Sequence, residues 1–405
     1  MRAVTIFGFL ALIIFWQILS NVFFSPLRRV PGPLTAKITP KWIMFIDLTG
    51  NRASTIHKLH GRYGPMVRIG PREISYANAE LINELYGVQA PYMKAPIYDN
   101  FSLPPLGIFA MRDKVEHSQR TRLLSHAFSQ ASLLGTEPLI KQHIDNIEAR
   151  SGRQRSSSTV SFDRYIAQYG RNSGRKDLLP KILTTKSEDD PPMTDRETYA
   201  EIRNLVFAGT DTTSTTLTYL FWQLAGNPEW QDRLRAEPSQ SPWAEQLPSY
   251  RGVTDVPVLD AVIDEALRLH PAAPASLQRV VPSGGRTLNG VFVREETVVS
   301  MQCYTTHRDP AAFPNPDTFR PERWMDAVAI TDSMKPLFMP FSQGTRACLG
   351  KNLAKIELKL ITASLVKDYE VSSAPGTTEE SMAMTDHFLA LPKSGKCELV
   401  FTRAR

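Results

Sequence analysis

The sequence predicts an α+β chain that is mostly α, and three observations predict it. Helical segments dominate, the longest running about 31 residues beyond Thr194 and stopping at Gly226-Asn-Pro228. Short strand-like runs are grouped towards the two ends, at 66–77, 279–304 and 388–401. Proline is frequent, 30 of 405 residues against a usual ~5%, which favours long stiff connections over a simple helical bundle.

Composition narrows the class further. A chain of 405 residues with 42% hydrophobic and 22% charged residues buries a substantial core and is neither disordered nor coiled-coil. Three scattered cysteines exclude a disulfide framework and fit a reducing compartment. A net charge of +6 without a concentrated basic tract argues against nucleic acid and suits an acidic partner or an anionic membrane surface.

Between Ala3 and Leu27 no residue is charged, and 16 of the 21 residues from Val4 to Phe24 are apolar. At 1.5 Å per residue such a helix spans roughly 30 Å, a bilayer core. A signal peptide would have a shorter apolar stretch and a small-residue cleavage site, and Asn21-Val-Phe-Phe24 offers none. Residues 1–25 are therefore expected to form a single-pass anchor, with Arg28, Arg29, Lys37 and Lys41 holding the rest of the chain on the cytoplasmic side. Pro26, Pro31, Pro33 and Pro40 predict an extended, stiff neck over 26–40, leaving 41–405 as the catalytic domain.

Along that domain, Met66–Ala77 reads as two strands joined at Gly70-Pro71, and Glu116–Phe128 as a helix. The run Ser151–Thr159 is polar and reads as a loop. The long helix opens with a capping box, Thr194 with Glu197. A helix from near Pro257 stops before Pro271, short strands fill 279–304, a proline-rich stretch runs from Asp309 to Trp324, and a helix follows Cys348. The tail from Phe388 to Phe401 reads as a hairpin.

The segment Phe341-Ser-Gln-Gly-Thr-Arg-Ala-Cys-Leu-Gly350 carries the most chemistry. A cysteine at a helix start, among exposed N–H groups, is expected to be held as a thiolate. Gly344 and Gly350 would let the backbone approach something flat and bulky, and Arg346 offers a fork for a carboxylate. A lone cysteine is more often a small buried hydrophobe, and Cys303 and Cys397 are read that way; the five fixed positions around Cys348 match by chance on the order of once in ten thousand chains. This segment resembles the haem-binding loop of the cytochrome P-450 superfamily of haem-thiolate monooxygenases. The resemblance, to fungal microsomal members, implies that family's fold and haem b ligated by Cys348.

Three further segments match. Glu265 and Arg268 stand at i and i+3, 83 residues before Cys348, and Arg323 in Pro321-Glu-Arg-Trp324 completes what the resemblance implies is a structural Glu-Arg-Arg network. Ala208-Gly-Thr-Asp-Thr-Thr213 puts poor helix formers in mid-helix, which is expected to open it locally; in the family Asp211 and Thr212 deliver protons to dioxygen. Arg346 and Arg279 are the expected propionate partners. His117 matches the first residue of a family pattern whose arginine is here Thr121, with Arg120 as its expected replacement; His270 and His307 read as structural. The resemblance further implies an NADPH-cytochrome P-450 reductase as partner, a lipophilic secondary-metabolite intermediate as substrate, and residence in the endoplasmic reticulum membrane. The pocket wall is expected from Phe101–Phe109, the stretch near Ser276, and Met384–Phe388.

One departure stands out. Only 94 residues separate His117 from Asp211, about half the spacing of membrane-bound members, so part of the pocket roof is expected to be missing. An isomerase or dehydratase of the same fold, which needs no Asp-Thr pair, and a non-catalytic haem-binding remnant are the alternatives.

Overall fold

The computed structural model describes residues 2–149, 168–170, 173–175, 177–183, 192–236, 247–325 and 334–404. Helices that frame the core and the site include α1 Arg2–Leu19, α2 Arg52–Tyr63, α3 Lys114–Ser125, α4 Glu137–Ala149, α5 Leu178–Leu183, α6 Asp195–Gly226, α7 Pro228–Ala236, α8 Pro257–Leu269 and α9 Lys351–Asp368. The strands are β1 Met66–Gly70, β2 Glu73–Tyr76, β3 Met93–Lys94, β4 Arg279–Val280, β5 Arg286–Leu288, β6 Val291–Val293, β7 Val298–Ser300, β8 Tyr369–Ser373, β9 Met384–His387, β10 Leu389–Pro392 and β11 Leu399–Arg403.

The largest core joins α6, α8 and α9. Leu220 and Leu224, Val262 and Ala266, and Ile356 and Leu360 recur at helical spacing and close on one another without water. The 32-residue α6 begins with the expected box: the Thr194 hydroxyl accepts from the Glu197 N–H, and the Glu197 side chain caps the Thr194 N–H in return. A five-stranded sheet in the order β1-β2-β7-β4-β3 carries a second core around Tyr76, Val299 and Phe313.

Two expectations are corrected here. The tail is not one hairpin: β9 and β10 form a hairpin with Phe388 at its tip, whereas β11 pairs with β8. The neck is not extended, since Pro26–Arg29 forms a 3₁₀ turn and Leu34–Ile38 a short helix. Arg68, fully buried on β1, explains this by donating to the carbonyls of Asn21, Leu27, Gly70 and Pro71, pinning the neck against the sheet. At the N-terminus α1 continues as a π-helical turn, Ser20–Phe24, and among the described residues no helix is long and apolar enough to cross a membrane. The polar run 151–159 lies outside the described residues.

Candidate active site

The Cys348 loop leads into α9. The Cys348 N–H donates to the Phe341 carbonyl at 2.8 Å, which closes the loop around a 3₁₀ turn at Gly344–Arg346, while Phe341 packs on the main core. Gly344 has φ +66°, and a Cβ there would lie 1.9 Å from the Tyr86 carbonyl oxygen. Glycine is therefore required by the chain's own neighbour and by the left-handed backbone. A Cβ at Gly350 would sit 4.0 Å from the Cys348 sulfur, an ordinary contact. Cys348 opens to the surface, yet its sulfur is enclosed closely enough that burial raises its pKa above that of a free thiol. The N–H groups of Gly350 and Lys351 and the Lys351 charge pull the other way and lose. A metal ion bound at the sulfur would draw its proton off and hold it as the thiolate.

Beside the loop, cations converge. Lys94 on β3 stands directly opposite Arg279 on β4, both buried, a pairing of like charges that destabilises a sheet on its own. Burial and the nearby Arg346 and Arg279 drive the Lys94 pKa well down, and burial with Arg279 lowers Arg346 to about 10. Arg346 donates to the carbonyls of Met111 and Arg112 at 2.8 and 2.7 Å and keeps only the exposed Asp113 as a carboxylate neighbour. Two buried cations and the half-buried Arg346, with the exposed Asp113 as their carboxylate neighbour among the described residues, are a seat for an anionic group, and the two propionates of haem b fit that demand.

His117 belongs to this cluster but not as a cation. Burial first, then Arg346, Lys94 and Arg279, lower its pKa to about 3, so it is neutral and its ring faces the Thr121 hydroxyl at 3.3 Å. Arg120 does not replace the missing arginine. Its guanidinium turns to α6, donating to Glu201 at 3.1 Å and to Glu197. Sequence reasoning missed Lys94, and a lone lysine in an apolar two-residue strand was the signal available. The structure otherwise brings Arg346, Arg279 and His117 together as expected.

On the far side of the loop, Glu265 and Arg268 are both fully buried. Arg268 grips the carboxylate through two bonds of 2.8 and 2.9 Å, Arg323 adds one at 3.1 Å, and the Arg320 N–H and Trp324 indole complete it at 2.8 and 2.9 Å. Trp324 is an unforeseen member. His307 receives the Met339 N–H and faces the Arg268 carbonyl, and His270 stacks on Tyr219, so both are structural.

Asp211 and Thr212 lie on α6, Asp211 exposed and Thr212 half-buried. The helix is not opened here as expected. It stays α-helical, and the threonine hydroxyls are satisfied within it, Thr212 donating to the Ala208 carbonyl at 2.7 Å and Thr216 to that of Thr212. The next residue, Thr213, bonds the half-buried Glu357, tying α6 to the helix that follows Cys348. Two expected wall segments do meet: the rings of Phe101 and Phe109 lie 4.7 and 5.6 Å from Phe388. The third joins them through the Ala390 N–H bond to Ala272, although the Ser276 hydroxyl itself is buried and finds no partner among the described residues.

Comparison with known proteins agrees with this geometry. The chain is 28% identical to cytochrome P450 monooxygenase stcB of Emericella nidulans, covering 95% of this chain and 90% of that protein. It is 29% identical to cytochrome P450 monooxygenase tazI of Aspergillus terreus, over 93% and 94%. The stcB alignment runs over 472 positions against 405 residues here, so at least 67 positions have no counterpart in this chain, in keeping with the short His117–Asp211 spacing. A retinoic acid-bound cyanobacterial CYP120A1 shares the fold, with a TM-score of 0.78 at 19% identity over 93% of this chain and 99% of that one. The family model for cytochrome P450 matches residues 162–399, more than half of the chain, and the chain belongs to that family, whose cofactor is haem.

Proposed function

We propose that the chain is a haem-thiolate monooxygenase that inserts one oxygen atom of dioxygen into a lipophilic small molecule, an intermediate of secondary metabolism. The observation that carries this is the pairing of Cys348, at the head of α9, with a cluster of the buried Lys94 and Arg279 and the half-buried Arg346, whose carboxylate neighbour among the described residues is the exposed Asp113. Its kinship with fungal cytochrome P450 monooxygenases supports the same reading.

Cys348 Sγ would ligate the iron as thiolate, and Arg346, Arg279 and Lys94 would hold the propionates, with His117 as a neutral hydrogen-bond donor. Haem, when bound, supplies the redox chemistry that activates dioxygen. The chain's own contribution is proton traffic and shape. Asp211 is exposed, so its carboxylate exchanges protons with solvent and can pass one through water to the Thr212 hydroxyl, whose lone pairs remain free while it donates to Ala208. Glu265, Arg268 and Arg323 hold the protein behind the Cys348 loop and touch no reacting atom. Phe101, Phe109 and Phe388 would line an apolar wall that excludes water and accepts a lipophilic substrate.

Residues 1–25 are proposed as a membrane anchor, 26–40 as the neck and 41–405 as the catalytic domain, held on the cytoplasmic face of the endoplasmic reticulum. The exposed Ile14, Phe15, Trp16 and Phe24 support that reading. Electrons would come from NADPH through a cytochrome P-450 reductase. The presence of Asp211-Thr212 favours oxygenation over isomerase or dehydratase chemistry, which has no need of the pair.

Substrate-dependent NADPH consumption by the haem-loaded protein with its reductase tests the reading. Consumption matched by hydroxylated product supports it. Conversion that proceeds without reductase or dioxygen points to the isomerase, and no turnover with intact haem ligation points to the remnant.

A further inference from the structure

The stretch 102–110 passes close to α6 without being part of any helix or strand. At Gly107 the approach is so tight that a Cβ would lie 3.0 Å from the Cβ of Asn204. Beside that contact sits Glu201, fully buried on α6. Both of its oxygens face the Ile108 N–H, at 2.9 and 3.1 Å, and Arg120 donates to one of them at 3.1 Å. Arg120 in turn reaches Glu197, within the capping box that starts α6. Among the described residues, Glu201 is the polar attachment of this stretch to the central helix. The neighbouring Phe109 is the ring that meets Phe101 and Phe388.

A carboxylate removed from water is retained only when its partners are good, and here burial pushes its pKa up to about 6 despite Arg120 and the Ile108 N–H. A plain core position would be filled by an apolar side chain. We propose that Glu201 is a positioning residue for the substrate pocket: it latches the 102–110 loop to the helix carrying Asp211 and Thr212, and so sets the width of the aromatic wall formed by Phe101, Phe109 and Phe388. Asp211 follows ten residues further along the same helix, about 15 Å by its rise, so latch and proton path share one rigid element. The inference rests on the reading of that aromatic cluster as pocket wall.

The test uses the haem-loaded full chain and Glu201→Ala, with Glu201→Gln as the shape-conserving variant. Hydrogen exchange of peptides covering 102–110 should quicken about tenfold or more in Glu201→Ala, since a bond to a charged group contributes more than the 1.4 kcal/mol that corresponds to tenfold. Peptides of α8 should exchange as before. Spectral titration with imidazole should be unchanged, whereas 1-phenylimidazole, which must fit against the wall, should change affinity several-fold. Glu201→Gln should restore both to within about twofold, since its amide oxygen still accepts from Ile108.

Unchanged exchange in the loop overturns the latch. Quicker exchange with both titrations unchanged, or with both shifted alike, overturns the link to pocket width. Loss of haem from both variants overturns it too, because a latch on one wall leaves the haem seat intact. A wild-type protein giving no azole spectrum fails the functional reading instead, and the exchange comparison still decides the latch.

Discussion

Glu265 and Asp211 are carboxylates on two helices that pack against the same third helix, α9, yet they live under opposite conditions. Glu265 is fully buried and accepts five N–H bonds from Arg268, Arg320, Arg323 and Trp324. Asp211 is exposed, and its carboxylate has no partner among the described residues. The first is a group whose charge must not move, because any change leaves an uncompensated ion in the core. The second must exchange protons with water to be of use. Structural and chemical carboxylates are thus told apart by satisfaction, not by residue type or helix position.

The contrast can be broken most severely at Arg268. Arg268→Ala leaves Glu265 buried with three of its five bonds, at a cost of about 3–5 kcal/mol, enough to prevent assembly around haem. Yield of soluble haem-loaded protein measures it, and near-wild-type yield would mean the network is dispensable. Thr212→Ala should act on the other side. Haem and thermal stability should stay as in wild type, while most consumed NADPH appears as hydrogen peroxide and not as product; unchanged coupling would remove Thr212 from the proton path.

Between these extremes lies the cation cluster. Arg346→Ala should hasten loss of haem to an acceptor protein roughly tenfold, and should also relieve Lys94, whose pKa the neighbouring guanidinium depresses. Equal rates of haem loss would show that the propionates are held elsewhere.

The smallest effect concerns pH. His60 and His307 are buried and neutral, with pKa values lowered to about 4 and about 3, burial being the larger cause for each. In the unfolded chain both take up a proton below about 6.5, whereas the folded chain resists. Stability is therefore complete above that value and falls as pH drops from about 6.5 towards 4. The melting temperature should decline by several degrees over that range. His307→Gln should flatten part of the decline, and an unchanged slope would mean that other groups set it.

Much of this was legible in the sequence because the informative residues sit at fixed spacing along the chain. Phe341 to Gly350, the Glu265–Arg268 pair and Arg323 could all be identified without coordinates, and the capping box at Thr194 marked the start of α6 to the residue. What escaped was settled by tertiary contact. Lys94 gains meaning only because β3 pairs with β4 and sets it against Arg279. Arg120 looked like a substitute for a missing arginine until the fold turned it to Glu201. Gly344 meets the Tyr86 carbonyl, more than 250 residues away, a second demand for glycine that no local pattern shows. Burial of the Cys348 sulfur, which opposes the pull of the helix-terminus N–H groups, is likewise set by packing the sequence does not display.

The account stands or falls on the bond between Cys348 and iron, and carbon monoxide difference spectroscopy of the reduced, haem-loaded protein reads that bond directly. The red-shifted Soret band of a thiolate-ligated haem, lost in Cys348→Ala, is the predicted result. A band at the position given by imidazole ligation, or a thiolate band that survives the substitution, would contradict it.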